Sequence, residues 1–268
     1  MNPAQTRLGV AGWPVAHSRS PAIQNAALHA VGLADWRYQL LPIPPERFAE
    51  TVSGLPGAGF RGINVTIPHK EAALALATDP TERAHAIGAA NTLVFEPDGR
   101  IVADNTDAPG LIAALPFAPA GRTALVLGAG GSARAVVWAL RDAGAREIRI
   151  WNRTPERARA LAGELGGVAV EGAAPADLLV HCTASGLDPA QDAFKPLPID
   201  ADDTVSYECV VDLVYGDTET PLVQAARARC VRVVGGREIL VRQGALGFEL
   251  FTGRPAPIDV MRRAVDVR

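Results

Sequence analysis

Apolar residues along this chain fall into short runs separated by glycine, proline and polar turns, and the runs alternate between strand-like and helix-like spacing. Leu8 to Gly12 reads as a buried strand ending in a Gly-Trp-Pro turn, and Pro21 to Val31 as a helix with Gly32 just past its end. Trp36 to Leu41 predicts a strand, Pro45 to Val52 a helix, Gly62 to Ile67 a strand and Lys70 to Ala77 a helix. Ala89 to Phe95 and Arg100 to Ala103 flank Glu96-Pro97-Asp98-Gly99, the pattern of an antiparallel pair closed by an Asp-Gly turn.

Beyond the proline- and glycine-rich segment Pro116 to Gly121 the alternation becomes regular. Strands are predicted at Thr123 to Leu127, Glu147 to Trp151, Leu178 to Cys182, Cys209 to Val214 and Val231 to Val234. Helices are predicted at Ser132 to Ala143, Pro155 to Leu165 and Pro221 to Cys230, and a long apolar helix runs from Glu238 to Thr252. Successive strand–helix units predict a parallel sheet covered on both faces. The expected fold is therefore α/β: an N-terminal α/β domain over residues 1–107 and a Rossmann-like doubly wound domain over 108–237. A C-terminal helical segment at about 238–268 is expected to return to the first domain.

Composition narrows the function classes. With 48% hydrophobic residues, 21% charged residues and a net charge of −3, the chain has the make-up of a globular protein, and it carries no basic stripe for nucleic acid. No apolar run reaches membrane-spanning length and the first residues lack a signal-peptide pattern, so a cytoplasmic protein is expected. Cys182, Cys209 and Cys230 show no Cys-x-x-Cys spacing; they read as packing residues rather than a metal site or disulfide framework.

Gly128-Ala129-Gly130-Gly131-Ser132-Ala133 follows a predicted strand directly and opens a predicted helix, which fits G-x-G-x-x-A in the context that gives the pattern meaning. Small residues admit a pyrophosphate close to the backbone, and the helix start supplies N–H groups for it. At the end of the next strand stand Asn152-Arg153-Thr154 and then Arg157, with no acidic residue for a ribose hydroxyl. Guanidinium and hydroxyl groups suit the extra 2′-phosphate of NADP, which a carboxylate would repel. NADP is the expected cofactor, against the plainer reading that Arg153 and Arg157 lie on a solvated helix face.

Only two lysines, Lys70 and Lys195, stand against 24 arginines. A lysine can lose its proton where a guanidinium cannot, so Lys70, which closes Asn64-Val65-Thr66-Ile67-Pro68-His69-Lys70, is a candidate for proton transfer. Hydroxyls and amides gather on predicted strand ends of the first domain: Ser18 and Ser20, Asn64 and Thr66, Asn91 and Thr92, and Asp104-Asn105-Thr106-Asp107. Such clusters suit a small, hydroxyl-rich ligand. Two of these residues have plainer roles open to them, Ser20 as a helix N-cap and Asp107 as the cap of the helix that follows.

Ala16-His17-Ser18-Arg19-Ser20-Pro21, the Asn64 to Lys70 stretch, Gly88-Ala89-Ala90-Asn91-Thr92, Asp104 to Asp107, Gly128 to Gly131, Asn152 to Thr154 and Leu240-Val241-Arg242-Gln243 together resemble the shikimate dehydrogenase family, over essentially the whole chain. The resemblance implies an N-terminal substrate domain, an NADP domain, and reversible reduction of 3-dehydroshikimate to shikimate on the way to aromatic amino acids, by a monomer or homodimer. It puts the reactive pair on Lys70 and Asp107, with Ser18, Ser20 and Tyr215 on the substrate carboxylate and Thr66, Asn91 and Gln243 on the ring hydroxyls. Its cofactor contacts fall on Gly128, Ala129, Gly130, Gly131, Ser132, Asn152, Arg153, Thr154, Arg157, Leu213 and Gly236. Glu82 is a further candidate near the nicotinamide and equally a helix-surface carboxylate.

Two positions depart from the family's usual pattern. Trp13 replaces a commoner polar residue, and His181 stands where asparagine is more frequent; His181 reads as a strand-end histidine bonded to backbone. The alternatives are a quinate/shikimate dehydrogenase, which usually works with NAD, an aminoshikimate-type enzyme, and a non-catalytic NADP-binding regulator. A regulator would not need the Lys70–Asp107 pair.

Overall fold

The computed structural model describes residues 5–187 and 191–266. The chain divides into two compact units, Met1–Gly110 with Leu240–Arg268, and Leu111–Ile239.

The first unit starts β1 (Thr6–Gly12), α1 (Ser20–Ala30), β2 (Trp36–Pro42), α2 (Phe48–Gly54), β3 (Phe60–Val65) and α3 (Lys70–Leu76). It continues β4 (Asp79–Pro80), α4 (Glu82–Ile87), β5 (Thr92–Phe95), β6 (Ile101–Asp104) and the start of α5 (Asp107–Ala114). The sheet order is β2-β1-β3-β5-β6-β4. β1 runs parallel to β2 and β3; β5 runs antiparallel to β3 and also to β6, the latter as the Asp-Gly turn predicts. Phe48, Val52, Ile63, Val65 and Leu93 fill the core between α2 and the sheet. β3 ends two residues before the predicted Ile67, because the chain turns there: His69 N–H donates to Thr66 O, and Ile67 O accepts from Trp13 N–H.

The predicted helix at Pro45 begins as a short 3₁₀ turn, Pro45–Arg47, before α2. β4, α4 and a later two-residue strand at Val168–Ala169 left no periodic signal, since two to six residues cannot establish one. The C-terminal segment, expected as one helix, is two. Gly253, with φ of 65°, ends the first, and a segment carrying Pro255 and Pro257 separates it from the second.

The second unit winds β7 (Thr123–Leu127), α6 (Gly131–Asp142), β8 (Glu147–Trp151), α7 (Pro155–Leu165), β9 (Val168–Ala169), β10 (Leu178–His181), β11 (Cys209–Asp212), α8 (Pro221–Ala228) and β12 (Arg232–Val234). Its strands all run parallel in the order β12-β11-β10-β7-β8-β9. Every residue of β7, β10 and β11 is buried, which is why these runs are apolar rather than alternating, except at the terminal Thr123, His181 and Asp212. The order reverses between β7 and β10, and ligands of such sheets bind at that reversal, beyond the carboxyl ends of the strands.

α9 (Gly236–Thr252) follows, and from Leu240 onward it packs in the first unit, together with α10 (Ile258–Val265). Gly244 O accepts from the buried Gln24 Nε2 at 2.8 Å, and a side chain on Gly247 would strike Asn64 at 2.9 Å. The buried face of α10, Met261 and Val265, packs beside α1.

Of the three cysteines, Cys209 is a core residue whose thiol burial pushes up to about 11. Cys230 is not a packing residue: it is exposed, with φ of 59° at the turn closing α8.

Candidate active site

α3 begins at Lys70 because the turn Thr66-Ile67-Pro68 redirects the chain at the end of β3, and this delivers the lysine to the sheet's carboxyl edge. Lys70 Nζ donates to Asp107 Oδ2 at 2.6 Å, and the two side chains are only 9% and 15% exposed, so water screens the pair weakly. Asp107 Oδ1 accepts from Asn91 Nδ2 at 2.9 Å. The same amide lies 3.0 Å from Thr106 Oγ1 and 3.3 Å from Gln243 Oε1. Two hydrogens cannot serve three acceptors, so the longest contact, to Gln243, is the one most readily exchanged for a ligand.

The rest of the cluster keeps competing groups away from Asp107. Asn105 Oδ1, not Asp107, accepts from Ala108 N–H at 3.3 Å at the start of α5, which corrects the reading of Asp107 as the helix cap. Asp104 is buried and forked by Arg83, at 3.1 Å from Nε and 2.6 Å from Nη2, with Thr81 Oγ1 donating to it at 2.8 Å. Asn64 accepts from Tyr38 O–H at 2.8 Å and donates to Thr92 Oγ1 at 3.0 Å; it is a support the sequence offered without a role. His69 stacks on Phe48 with ring centroids 4.3 Å apart and lies 2.7 Å from Ile43 O through Nε2. Burial holds its imidazole below the usual histidine range, opposed by the bond to Ile43.

Ser20 is the first residue of α1 and does not cap it. Instead Ser18 Oγ accepts from Ser20 N–H at 3.2 Å, leaving the Ser20 hydroxyl without a capping duty. Thr66 is held by its backbone, N–H to Ala11 O at 2.8 Å, with its side chain half-buried. Glu82 is exposed in the first turn of α4, and among the described residues no hydrogen bond or ion pair ties it to the Lys70 cluster.

In the second unit, β7 passes into α6 through Gly128, whose φ is 122°. A side chain there would meet the Cys182 backbone at 3.2 Å. Gly130 precedes α6 in an extended conformation, no side chain caps that helix, and a Cβ on Gly130 would meet nothing within 4 Å. Backbone N–H groups beside open space are what a pyrophosphate needs, so the loop fits a dinucleotide. A cleft of about 920 Å³ lies along the ends of β8 and β10, lined by Trp151, Asn152, Arg153, Thr183, Ser185 and Lys195 among others. Asn152 Nδ2 donates to Thr154 O at 2.9 Å, which fixes the turn carrying Arg153. Arg157 is exposed in the first turn of α7 and is not among the residues lining the cleft. Gly236 serves packing, since a Cβ would strike Val214 O at 2.6 Å and Leu213 O at 2.8 Å. Tyr215 is half-buried beyond β11.

His181 is bonded to side chains rather than to backbone, contrary to the sequence reading. Nδ1 lies 2.8 Å from Asp212 Oδ1 and Nε2 lies 2.6 Å from Thr183 Oγ1. Asp212 also accepts from Val214 N–H at 3.0 Å and Thr220 O–H at 2.5 Å. This buried chain joins the end of β11 to the loop after β10 that lines the cleft.

A doubly wound sheet with a glycine loop at its switch point, in a chain whose other unit encloses a lysine–carboxylate pair among hydroxyls and amides, defines a nicotinamide-dinucleotide oxidoreductase. Family models for the shikimate dehydrogenase substrate-binding domain, the shikimate/quinate 5-dehydrogenase domain and the shikimate 5-dehydrogenase C-terminal domain match residues 10–93, 114–185 and 236–265. The chain belongs to the shikimate dehydrogenase family. A shikimate dehydrogenase (NADP(+)) from Methylobacterium radiotolerans is 46% identical over 96% of this chain and 94% of its own. The structure of shikimate 5-dehydrogenase from Thermus thermophilus in complex with NADP(H) and shikimate is similar with a TM-score of 0.84, at 42% identity, covering 97% of this chain and 98% of that one. Ligand-free 5-ketofructose reductase of a Gluconobacter strain gives a TM-score of 0.82 at 28% identity, with 98% of both chains covered. Among the described residues no helix is long and apolar enough to cross a membrane, and no group of histidine, cysteine and acidic side chains could hold a metal.

Proposed function

We propose that this chain reduces 3-dehydroshikimate to shikimate reversibly with NADP, in the cytoplasmic route to aromatic amino acids, and that Lys70 is its general acid and base. The observation that carries the reading is the enclosed contact of 2.6 Å between Lys70 Nζ and Asp107. When bound, the reduced nicotinamide supplies a hydride to the carbonyl carbon. Lys70 gives a proton to the oxygen of that carbon and recovers it in the reverse direction. Asp107 holds the ammonium and, through its other oxygen, is itself fixed by Asn91, so the proton path is short before substrate arrives. Asn91, Thr66 and Gln243 bind ring hydroxyls, and Ser18, Ser20 and Tyr215 the carboxylate. A ligand lacking those hydroxyls leaves buried polar groups unpaired, which is the basis of rejection.

On the cofactor side Gly128 to Ser132 take the pyrophosphate, and Asn152, Arg153 and Thr154 the adenosine 2′-phosphate. Arg157, Leu213 and Gly236 border that half of the site, and Glu82 acts at most indirectly. The protein works as a monomer or homodimer. Likeness to a ketofructose reductase shows that this fold accepts other carbonyl substrates, so the substrate assignment rests on the side chains.

The test is purified protein with shikimate or quinate, each with NADP or NAD, followed by nicotinamide absorbance. Turnover confined largely to shikimate with NADP supports the reading. Turnover of quinate with NAD makes it the quinate relative, and no turnover in any pairing refutes it.

A further inference from the structure

Lys195, the second of the chain's two lysines, lines the same cleft as Arg153. Among the described residues neither the Lys195 ammonium nor the Arg153 guanidinium has an ion-pair or hydrogen-bond partner, whereas surface pairs such as Arg47 with Glu50 and Arg159 with Glu156 use arginine. Among the described residues these two cations of one cleft face a single lining carboxylate, Asp192, so the cleft carries an excess of positive charge. We propose that Lys195 and Arg153 together seat the adenosine 2′-phosphate, so that selectivity for NADP is shared between the loops after β8 and β10. The proposal rests on the NADP reading and extends it to a residue outside the glycine loop and the Asn152-Arg153-Thr154 turn.

A phosphomonoester carries roughly −1.5 to −2 charges near pH 7, more than one guanidinium offsets. An ammonium adds a compact point charge with three donors and needs no fixed fork geometry, which suits an exposed loop. The described residues of the loop are held. His181 Nε2 lies 2.6 Å from Thr183 Oγ1, which accepts from Ser185 N–H at 3.1 Å, and Ser185 O–H donates to Ala193 O. Asp192 is the one carboxylate on the cleft wall among the described residues. Its Oδ1 accepts from Phe194 N–H at 2.9 Å and Lys195 N–H at 3.4 Å, so it orders the turn that presents Lys195.

The experiment is equilibrium binding of 2′,5′-ADP and 5′-ADP to the whole protein, without substrate, for wild type, Lys195→Ala, Lys195→Arg and Arg153→Ser. Lys195→Ala is expected to weaken 2′,5′-ADP about tenfold and 5′-ADP less than about twofold, with a smaller salt dependence, and Lys195→Arg to recover most of the loss. Unchanged affinity for 2′,5′-ADP, or equal weakening of both ligands, overturns the proposal. If Arg153→Ser alone removes the discrimination, the NADP reading stands and only Lys195 is lost from it. If wild type does not distinguish the two ligands, both fail together.

Discussion

Removing the Lys70–Asp107 pair in both orders measures what its enclosure is worth. Exposed ion pairs contribute about 0–1 kcal/mol, because water and salt screen them. Here the contact is 2.6 Å and the side chains are 9% and 15% exposed. Deleting one partner strands the other charge out of water, a loss of about 3–5 kcal/mol for buried pairs. Lys70→Met removes the cation from Asp107 Oδ2 and leaves Asn91 on its Oδ1, and Asp107→Asn removes the carboxylate 2.6 Å from the ammonium. The double variant strands neither charge, so it should cost no more than about 4 kcal/mol, giving a coupling of about 3 kcal/mol between the sites. Urea denaturation of the four proteins reads that coupling directly. The same four should show turnover falling about a hundredfold or more in either single variant, with little further loss in the double, because the residues act as a unit. Single-variant costs that add within about 0.5 kcal/mol would show the pair to be screened, and the argument from enclosure would be wrong.

Other consequences are simpler to check. Asn105→Ala removes the acceptor for Ala108 N–H and the donor to Ala89 O at 2.9 Å, and thermal unfolding should register a loss of about 1–2 kcal/mol. His69 has its folded pKa lowered by burial, so its contribution to stability is present above the ordinary value of 6.5 and is lost as pH falls below it. Unfolding free energy should therefore drop between about pH 7 and pH 5, with a shallower drop in His69→Gln, and equal slopes would discount the histidine. Cys230 holds a left-handed φ of 59° that costs an L-residue about 1 kcal/mol, so Cys230→Gly should raise the melting temperature, and a fall would show that the thiol packs.

How much the sequence reveals depends on how local the cause is. β7, β10 and β11 are legible because burial on both faces makes them apolar at all but one terminal residue each, and the glycine loop because strand and helix adjoin it directly. Lys70 stands out by composition, and so does Lys195, but nothing local assigns Lys195 a place. It sits in an aperiodic loop whose cleft is formed with Arg153, some forty residues earlier. His181 fails for the same reason, since its partner Asp212 is on the neighbouring strand and only the parallel register brings them opposite.

Asp104-Asn105-Thr106-Asp107 shows the limit most clearly. Read as a string, any of the four could face a ligand, and a two-residue error in the start of α5 moves the cap from Asn105 to Asp107. In the fold each takes one task. Asp104 is consumed by Arg83 and Thr81, Asn105 caps α5, and Thr106 N–H holds Asn91 Oδ1 at 2.7 Å. That last bond turns the Asn91 amide so that its Nδ2 meets Asp107, which keeps both carboxylate oxygens for Asn91 and Lys70. Pre-organisation of the reactive pair therefore comes as much from neighbours occupied elsewhere as from the pair's own contact, and it is why substituting Asn105, whose side chain bonds to Ala89 O and Ala108 N–H, should disturb turnover as well as stability.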